Sequence, residues 1–377
     1  MKIAILGMGK IGSGVYEYAS KNPNLEVKRP LDLKAWMDNM TTDIDEIVND
    51  NEIEAVVETM GGLEPARTYA LKCLNAGKHY VTANKLLVSE AMKELQDAAD
   101  KSGAAFLFSA SCGGGIPVLK CLYDQALCDE IVEFGGILNG TTNYMLDRIE
   151  TDSMTYDEAL KEAQALGYAE ADPTSDVDGL DAERKLILGL AVGFGVNVKS
   201  CDIPVSGIRC IQPIDIACFK EMGVSPRLIA SCKKEGNEIS ADVCVHLFQK
   251  GAAETAIKKN VNYAYYVGAQ SGRFSFSGQG AGKYPTAANV IGDLMRIISG
   301  AKHMLPNGLT ENTKIASGEY RYYVRVREDK KELLKDISEK TVLKDGWALI
   351  ETKDVNHVSL LSILDATGES FFARMHI

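Results

Sequence analysis

Lys2-Ile-Ala-Ile-Leu-Gly7-Met-Gly9-Lys-Ile-Gly12 opens the chain: an apolar run breaks into G-x-G-x-x-G, and a helical stretch follows. A buried parallel strand ends this way when it turns tightly into a helix over a pyrophosphate. The three glycines serve different ends: one makes the turn, one lets backbone approach phosphate, and one packs helix on strand. The helix N-terminus then faces the phosphates with its partial positive charge. The triplet alone is a weak signal. Its place, behind a strand and at the head of a helix, marks Gly7, Met8, Gly9, Lys10, Ile11 and Gly12 as a dinucleotide loop.

The following residues support that reading. Strand patterns at Ile3–Leu6, Leu25–Lys28, Ala55–Thr59, His79–Ala83 and Ala105–Ser109 alternate with helical patterns, notably Glu64–Ala76 and Leu87–Lys101. Such alternation predicts β-α-β units and a parallel sheet covered by helices on both faces. Gly77 and Gly103 stand where those two helices should stop. The strand ends Glu58-Thr59-Met-Gly-Gly62 and Val81-Thr-Ala-Asn-Lys85 then lie at the carboxyl edge, where ligands of open α/β sheets sit. Thr59 is placed with the cofactor on that ground, and Lys85 there could hold the nicotinamide, its ribose or a substrate carboxylate.

Asp32 comes twenty residues after Gly12, the position from which a carboxylate grips the adenosine ribose and favours NAD. Lys28, Arg29 and Lys34 surround it and offer charge for a 2′-phosphate, favouring NADP, and the sequence leaves the choice open. Pro30 blurs where the second strand stops.

From about Ile131 the character changes. Val132–Leu138 reads as a strand running into Asn139-Gly-Thr-Thr-Asn143, and Tyr156–Leu166 as an amphipathic helix ended by Gly167. An acidic loop, Glu170-Ala-Asp-Pro-Thr-Ser-Asp-Val-Asp-Gly-Leu-Asp181, precedes a helix over about 181–192. Strands at Asp242–Phe248, Tyr263–Ala269 and Arg273–Phe276 predict a mixed or antiparallel sheet with helices. Gly278-Gln-Gly-Ala-Gly282 is a second glycine-rich turn, and the helix after it, Thr286–Ser299, is expected to return to the first domain. Leu305-Pro-Asn-Gly308 signals a linker. Beyond it, strand Tyr320–Val326, helix Lys331–Glu339, strand Ala348–Thr352, helix Ser359–Asp365 and strand Ser370–His376 predict a small α+β module of ferredoxin-like type. The expected division is 1–128 with 281–303 for the dinucleotide, 129–280 for substrate and dimer contacts, and 306–377 for the small module.

Bulk properties bound the partners. A chain of 377 residues suits two or three domains. With 41 basic and 52 acidic residues the net charge is −11, which disfavours nucleic acid and anionic membrane. No stretch resembles a signal peptide or a membrane span. Nine cysteines without a C-x-x-C pair fit reduced thiols in a cytoplasm. The five histidines lie far apart without zinc-like spacing.

Asp181 and Lys185 are four apart on a predicted helix and share a face. Ordinarily such a pair is solvent-exposed and contributes a few tenths of a kcal/mol, roughly 0.2–0.5. Here the helix leaves an acidic loop and turns apolar at Leu186-Ile-Leu-Gly-Leu-Ala-Val, so a sheltered lysine could donate a proton beside a positioning carboxylate. The acidic loop lacks the EF-hand spacing, and its carboxylates suit a substrate ammonium group. Cys112, in Ser109-Ala-Ser-Cys-Gly-Gly-Gly-Ile-Pro117, has no histidine near it in sequence and reads better as a small buried thiol than as an acylating nucleophile.

Taken in order, Gly7-x-Gly9-x-x-Gly12, Val81-Thr-Ala-Asn-Lys85, Gly113-Gly-Gly-Ile-Pro117, Gly136-Ile-Leu-Asn-Gly-Thr-Thr-Asn-Tyr144, the stretch from Gly167 to Lys185 and Gly280-Ala-Gly-Lys-Tyr-Pro-Thr-Ala287 resemble the homoserine dehydrogenases over roughly residues 1–303. The resemblance implies NAD(P)-linked interconversion of L-aspartate 4-semialdehyde and L-homoserine, in threonine and methionine biosynthesis, by a homodimer formed through the middle domain's sheet. It implies that Lys185 donates the proton, that Asp181 orients it, and that Lys85 contacts the cofactor and takes part in proton handling. Glu170 and Asp176 would bind the substrate ammonium, Tyr168, Gly140 and Thr141 would line its pocket, and Gly280 would close over the nicotinamide side. The family's Na⁺ site would draw on the carbonyls of Cys112, Gly114 and Ile116. Ser109 stands where the family carries a glutamate, so that site is expected weak or absent. The tail resembles a reduced ACT module whose first loop, Arg327-Glu-Asp-Lys-Lys331, lacks the family's glycine, which leaves feedback by threonine in doubt. The competing reading is a non-enzymatic sensor of NAD(P) joined to an ACT-like ligand module.

Overall fold

The structure, a computed structural model, describes residues 1–306, 308–310 and 313–376. The chain divides into two compact units: Met1–Ile131, Ile187–Ser200 and Tyr265–Thr313 form one, and Val132–Leu186, Cys201–Ala264 and Lys314–Ile377 the other.

In the first unit β1 (Lys2–Leu6), β2 (Glu26–Leu31), β3 (Ala55–Glu58), β4 (His79–Thr82) and β5 (Phe106–Leu107) make a parallel sheet in the order β2-β1-β3-β4-β5. Ile3, Ala4, Ile5 and Leu6 are fully buried, as an unbroken apolar run between two helical layers requires. The second strand runs on through Pro30 to Leu31, three residues beyond the expected end. It is the edge strand of the sheet, paired with β1 through a register shift beside Ala4 and bridged on its outer side to Thr41, whose N–H donates to the Pro30 carbonyl at 3.0 Å, so the proline's missing N–H falls where it is tolerated. The fifth strand is shorter than expected, because a 3₁₀ turn, Ser109–Ser111, takes over. Helix Lys85–Ser102 begins at the Asn84 side chain, which accepts from Leu87 N, and ends at Gly103 in the left-handed conformation. Helix Lys283–Ile298 lies against helix Lys10–Ala19. A Cβ on Gly14 would stand 2.9 Å from the Lys283 carbonyl oxygen, so that glycine sets the approach.

The second unit is built on antiparallel pairing. Ile131–Ile137 pairs with Val224–Glu235, and Val224–Glu235 with Glu238–Gln249 over their whole length. The strand Val224–Glu235 is absent from the expected elements: its polar and basic residues, Arg227 above all, break the alternation, yet Arg227 is fully buried on Glu150 at 3.1 Å. The C-terminal strands extend the same sheet, Ser370–His376 running parallel to Glu238–Gln249.

The small module differs from expectation at one place. Residues expected as helix Lys331–Glu339 form a 3₁₀ turn, Glu328–Leu334, followed by strand Ser338–Lys344. That strand pairs antiparallel with Trp347–Thr352 across Asp345-Gly346, both residues at positive φ. The Asp-Gly pair is a strong two-residue hairpin signal and overrides the weak helical pattern before it. Strands Tyr322–Arg327, Ser338–Lys344, Trp347–Thr352 and Ser370–His376 then lie in the order fourth-first-third-second of a ferredoxin-like sheet, with the first helix reduced to the 3₁₀ turn. The expected linker at Leu305–Gly308 includes Asn307, which lies outside the described residues.

Candidate active site

The first unit contains the glycine loop as an open cradle. Gly7 has φ +87°, and a Cβ there would lie 2.9 Å from Met60 Cγ; a Cβ on Gly12 would lie 1.9 Å from the Gly7 carbonyl oxygen. Nothing lies within 4 Å of a Cβ built on Gly9, so that stretch of backbone is open to an approaching phosphate. Thr59 Oγ1 donates to the carbonyl of Gly7 at 2.7 Å and fixes the turn to β3. Asp32 follows β2, and its carboxylate accepts from Met8 N and from Leu33 N, each at 2.7 Å. Of the basic residues around it, Lys28 pairs with Asp50 and Glu52, Arg29 with Glu46, and Lys34 is exposed. Lys10 is exposed on the loop, Ile11 half-buried behind it, and Lys85 half-buried as the first residue of its helix. These residues fit a dinucleotide: glycines where a side chain would collide, an open amide face, and a carboxylate at the ribose position.

Two further glycine turns meet in the same unit. A Cβ on Gly114 would stand 2.4 Å from the Gly280 carbonyl oxygen. Asn289 Nδ2 donates to the carbonyls of Gly114 (2.6 Å) and Ile116 (3.2 Å), two of the three carbonyls named for Na⁺. Cys112 is buried. Ser109 gives its N–H (2.8 Å) and hydroxyl (2.6 Å) to the buried carboxylate of Asp293. Burial pushes that carboxyl up to about 6 against the pull of those two bonds.

The second unit holds the acidic loop and the first part, to Leu186, of the lysine helix Leu180–Phe194. Lys185 is buried, and its ammonium donates to Asp181 Oδ2 at 2.7 Å and to the Leu138 carbonyl at 2.5 Å. An ammonium has three donors, so one N–H remains for a further acceptor. Asn262 Nδ2 donates to the same Leu138 carbonyl at 2.8 Å. Asn139 links the cluster: its Nδ2 donates to Asp176 Oδ1 at 2.7 Å and to Asp181 Oδ2 at 2.9 Å. Its Oδ1 accepts from Thr142 N at 2.8 Å and caps the helix Gly140–Asp152. Burial raises the Asp176 carboxyl, and the neighbouring Asp181 adds to that; Asn139, Lys185 and Thr141 pull the other way. A Cβ on Gly140 would stand 2.7 Å from the Asn260 carbonyl, so that position has no room for a side chain. Thr141 Oγ1 donates to the Tyr168 carbonyl at 2.7 Å, and the exposed Tyr168 ring meets Tyr144 edge-on at 5.0 Å. Glu170 is exposed, its carbonyl accepting from Gln164 Nε2 at 3.1 Å.

Lys185, Asp181, Asp176 and Thr141 are thus brought into one group, Tyr168 joins its exposed side through Thr141, and Glu170 is exposed in the acidic loop with its carbonyl on Gln164. Asn139 has no part in the site expected from sequence; an asparagine directly before a helix is a capping signal and marks it as structurally engaged. Asn262, inside a strand, carries no such signal. Among the described residues one other buried group offers metal-type ligands close together, Asp242, Cys244 and His357, within 4.8 Å of one another. There the Arg374 guanidinium, 3.8 Å from Asp242, already supplies the positive charge.

A family model described as homoserine dehydrogenase matches residues 117–295, and one described as homoserine dehydrogenase, NAD binding domain, matches 7–109. Homoserine dehydrogenase of Bacillus subtilis strain 168 is 36% identical, over 79% of this chain and 73% of its own length. That of Lactococcus lactis is 32% identical, over 98% of this chain and 96% of its own. The crystal structure of a homoserine dehydrogenase from Thiobacillus denitrificans superposes with a TM-score of 0.90 at 28% identity, covering 100% of this chain and 98% of that one. The chain belongs to the homoserine dehydrogenase family. It is an oxidoreductase that acts on the CH–OH group of homoserine with a nicotinamide dinucleotide, and the NAD binding domain model spans the glycine cradle. Membership sets the enzyme above the sensor reading. A hyperthermophilic archaeal homoserine dehydrogenase solved with NADPH, at 21% identity and a TM-score of 0.68, shares the fold. No helix among the described residues is long and apolar enough to cross a membrane.

Proposed function

We propose that Lys185 handles the proton at the reacting oxygen and that Asp181 orients it. The observation that carries this is the buried ammonium held by the Leu138 carbonyl and the Asp181 carboxylate with one N–H to spare. Two fixed acceptors remove the rotamer freedom of a long side chain, so the remaining N–H points one way. In homoserine oxidation the substrate hydroxyl gives its proton to Lys185 in its neutral amine form, which becomes the ammonium; in the reverse direction the ammonium protonates the oxygen of the forming alcohol and stabilises its charge, returning to the amine. The dinucleotide, when bound, supplies the two-electron chemistry. Asp176 and Glu170 bind the substrate ammonium, with Tyr168, Thr141 and Gly140 lining the site and Lys85 and Gly280 on the cofactor side.

NAD is preferred over NADP. Asp32 stands at the ribose position, while Lys28 and Arg29 are already paired with Asp50, Glu52 and Glu46. Ser109 stands in place of a glutamate and the Asn289 amide already donates to the Gly114 and Ile116 carbonyls, so a Na⁺ site there is weak or absent and rates should match in sodium and potassium buffers. Residues 1–128 and 281–303 carry the dinucleotide, 129–280 the substrate and a homodimer contact, and 306–377 an ACT-like module; the first two stretches fall within the first compact unit. The nine cysteines, none in a disulfide, suit a cytoplasmic enzyme of the threonine and methionine branch.

The experiment is initial rates with L-homoserine under NAD and NADP side by side. A kcat/KM at least about tenfold higher with NAD is expected, the scale of one lost charge–hydroxyl interaction; an equal or reversed preference contradicts the Asp32 reading.

A further inference from the structure

Glu58, the last residue of β3, is fully buried in the cofactor-binding unit. Among the described residues no cation pairs with it, and burial raises its carboxyl above the ordinary range. A buried carboxylate without a counter-ion is costly, so its bonds must return something.

Those bonds run to two loops at the carboxyl edge of the sheet. One carboxylate oxygen accepts from Met60 N at 2.7 Å and Gly61 N at 3.1 Å. The other accepts from Thr82 Oγ1 at 2.6 Å. The Thr82 hydroxyl in turn accepts from Asn84 N at 2.9 Å. Asn84 donates to the Gly62 carbonyl at 2.6 Å and caps the helix that Lys85 opens. The two loops are therefore closed into a ring: Glu58 to Met60 and Gly61, Gly62 to Asn84, Asn84 to Thr82, and Thr82 back to Glu58.

The ring touches the cradle directly. Met60 is the residue that leaves no room for a side chain on Gly7, and Thr59, next to Glu58, holds the Gly7 carbonyl. Gly61 and Gly62 both sit at positive φ (+78° and +74°), conformations that alone would leave this turn loose.

We infer that Glu58 is a positioning residue for the dinucleotide: by gripping the Met60–Gly61 amides and Thr82 it fixes the β3 and β4 loops against the glycine turn. This rests on the dinucleotide cradle alone and is independent of the parts proposed for Lys185 and Asp181. Truncating Glu58 leaves two amides and a hydroxyl without their acceptor and frees the turn. Glutamine keeps one oxygen for the amides and presents an NH₂ to the Thr82 oxygen.

The test is direct titration of the full chain with NADH by fluorescence, with homoserine KM measured alongside, for Glu58→Ala, Glu58→Gln and Thr82→Val. For Glu58→Ala the dissociation constant should rise about ten- to hundredfold, as expected for orphaned buried donors, with homoserine KM unchanged within about twofold. Thr82→Val should lie between that variant and Glu58→Gln, which should stay within about threefold of wild type. A folded Glu58→Ala with wild-type NADH affinity, equal loss in Glu58→Gln and Glu58→Ala, or a parallel rise in homoserine KM would each overturn the inference. Should Glu58→Ala fail to fold, unchanged NADH affinity in Thr82→Val overturns it on its own.

Discussion

Lys185 and Asn262 donate to one acceptor, the carbonyl oxygen of Leu138, at 2.5 and 2.8 Å. That carbonyl belongs to the residue just past the strand Ile131–Ile137, immediately before the helix-capping Asn139. The strand end thus sets both the position of the ammonium, through Leu138, and the spacing of the two carboxylates, through Asn139. The proposed proton handler is anchored to backbone and to a rigid helix start, and it does not depend on the exposed stretch of the acidic loop.

Asn139→Ala should weaken turnover more than stability. The variant removes the amide between Asp176 and Asp181 and also a helix cap, which alone is worth about 1 kcal/mol. Without the amide the two carboxylates face each other unbridged, so homoserine kcat/KM should fall about ten- to hundredfold, the usual cost of lost charge-assisted bonds. Steady-state kinetics and thermal melting on the same preparation check this. A variant with wild-type kinetics and a lower Tm would reduce Asn139 to a cap.

Asp176 makes a pH prediction. Its folded-state carboxyl is raised, so protonation sets in above the ordinary carboxylate range as pH falls. If Asp176 binds the substrate ammonium, homoserine KM should rise on the acid side in the wild type, and Asp176→Asn should have a high KM that no longer changes there. KM against pH for both proteins is the measurement.

Asp293 predicts a stability trend of its own. Its carboxyl titrates at about 6 in the folded protein against an ordinary value of 3.8, so the folded state holds the proton longer. Stability from this group is fully present below 3.8 and is lost as pH rises through about 6. Asp293→Asn retains an oxygen for the Ser109 N–H and should lose less stability than wild type between those values. Denaturant unfolding at several pH values decides it; identical curves would remove Asp293 from the account.

The buried pair Arg325–Asp215 joins the module's first strand to helix Pro213–Met222 at 2.9 Å, with both side chains fully buried and Tyr323 Oη on the same carboxylate at 2.8 Å. Asp215→Ala leaves a buried guanidinium without its partner and should destabilise by about 3–5 kcal/mol. A loss below about 1 kcal/mol, measured by chemical denaturation, would mean the arginine finds water.

Much of this is legible in the sequence, for identifiable reasons. The glycine loop and alternating apolar runs are local signals, and they report β1, β3 and β4 to within a residue at each end, while β2 runs three residues past its expected end. Asp181 and Lys185 are legible because a helix brings residues four apart onto one face. Asn139, Asn262 and Glu58 are not, since what they do depends on contacts 24 to 124 residues away that no local pattern encodes. The strand Val224–Glu235 is hidden by Arg227, whose half-buried partner Glu150 lies 77 residues off. The hairpin at Asp345-Gly346 has a visible turn signal, but the weak helical periodicity ahead of it points the other way.

The most direct test of the central claim compares wild type with Lys185→Ala in two measurements on one sample, kcat for L-homoserine oxidation and the NADH dissociation constant. Losing a positioned acid–base should lower kcat about 10²- to 10⁴-fold while NADH affinity stays within about twofold. Turnover near the wild-type rate, or a loss explained by failure to bind NADH, would contradict the proposal that Lys185 handles the proton.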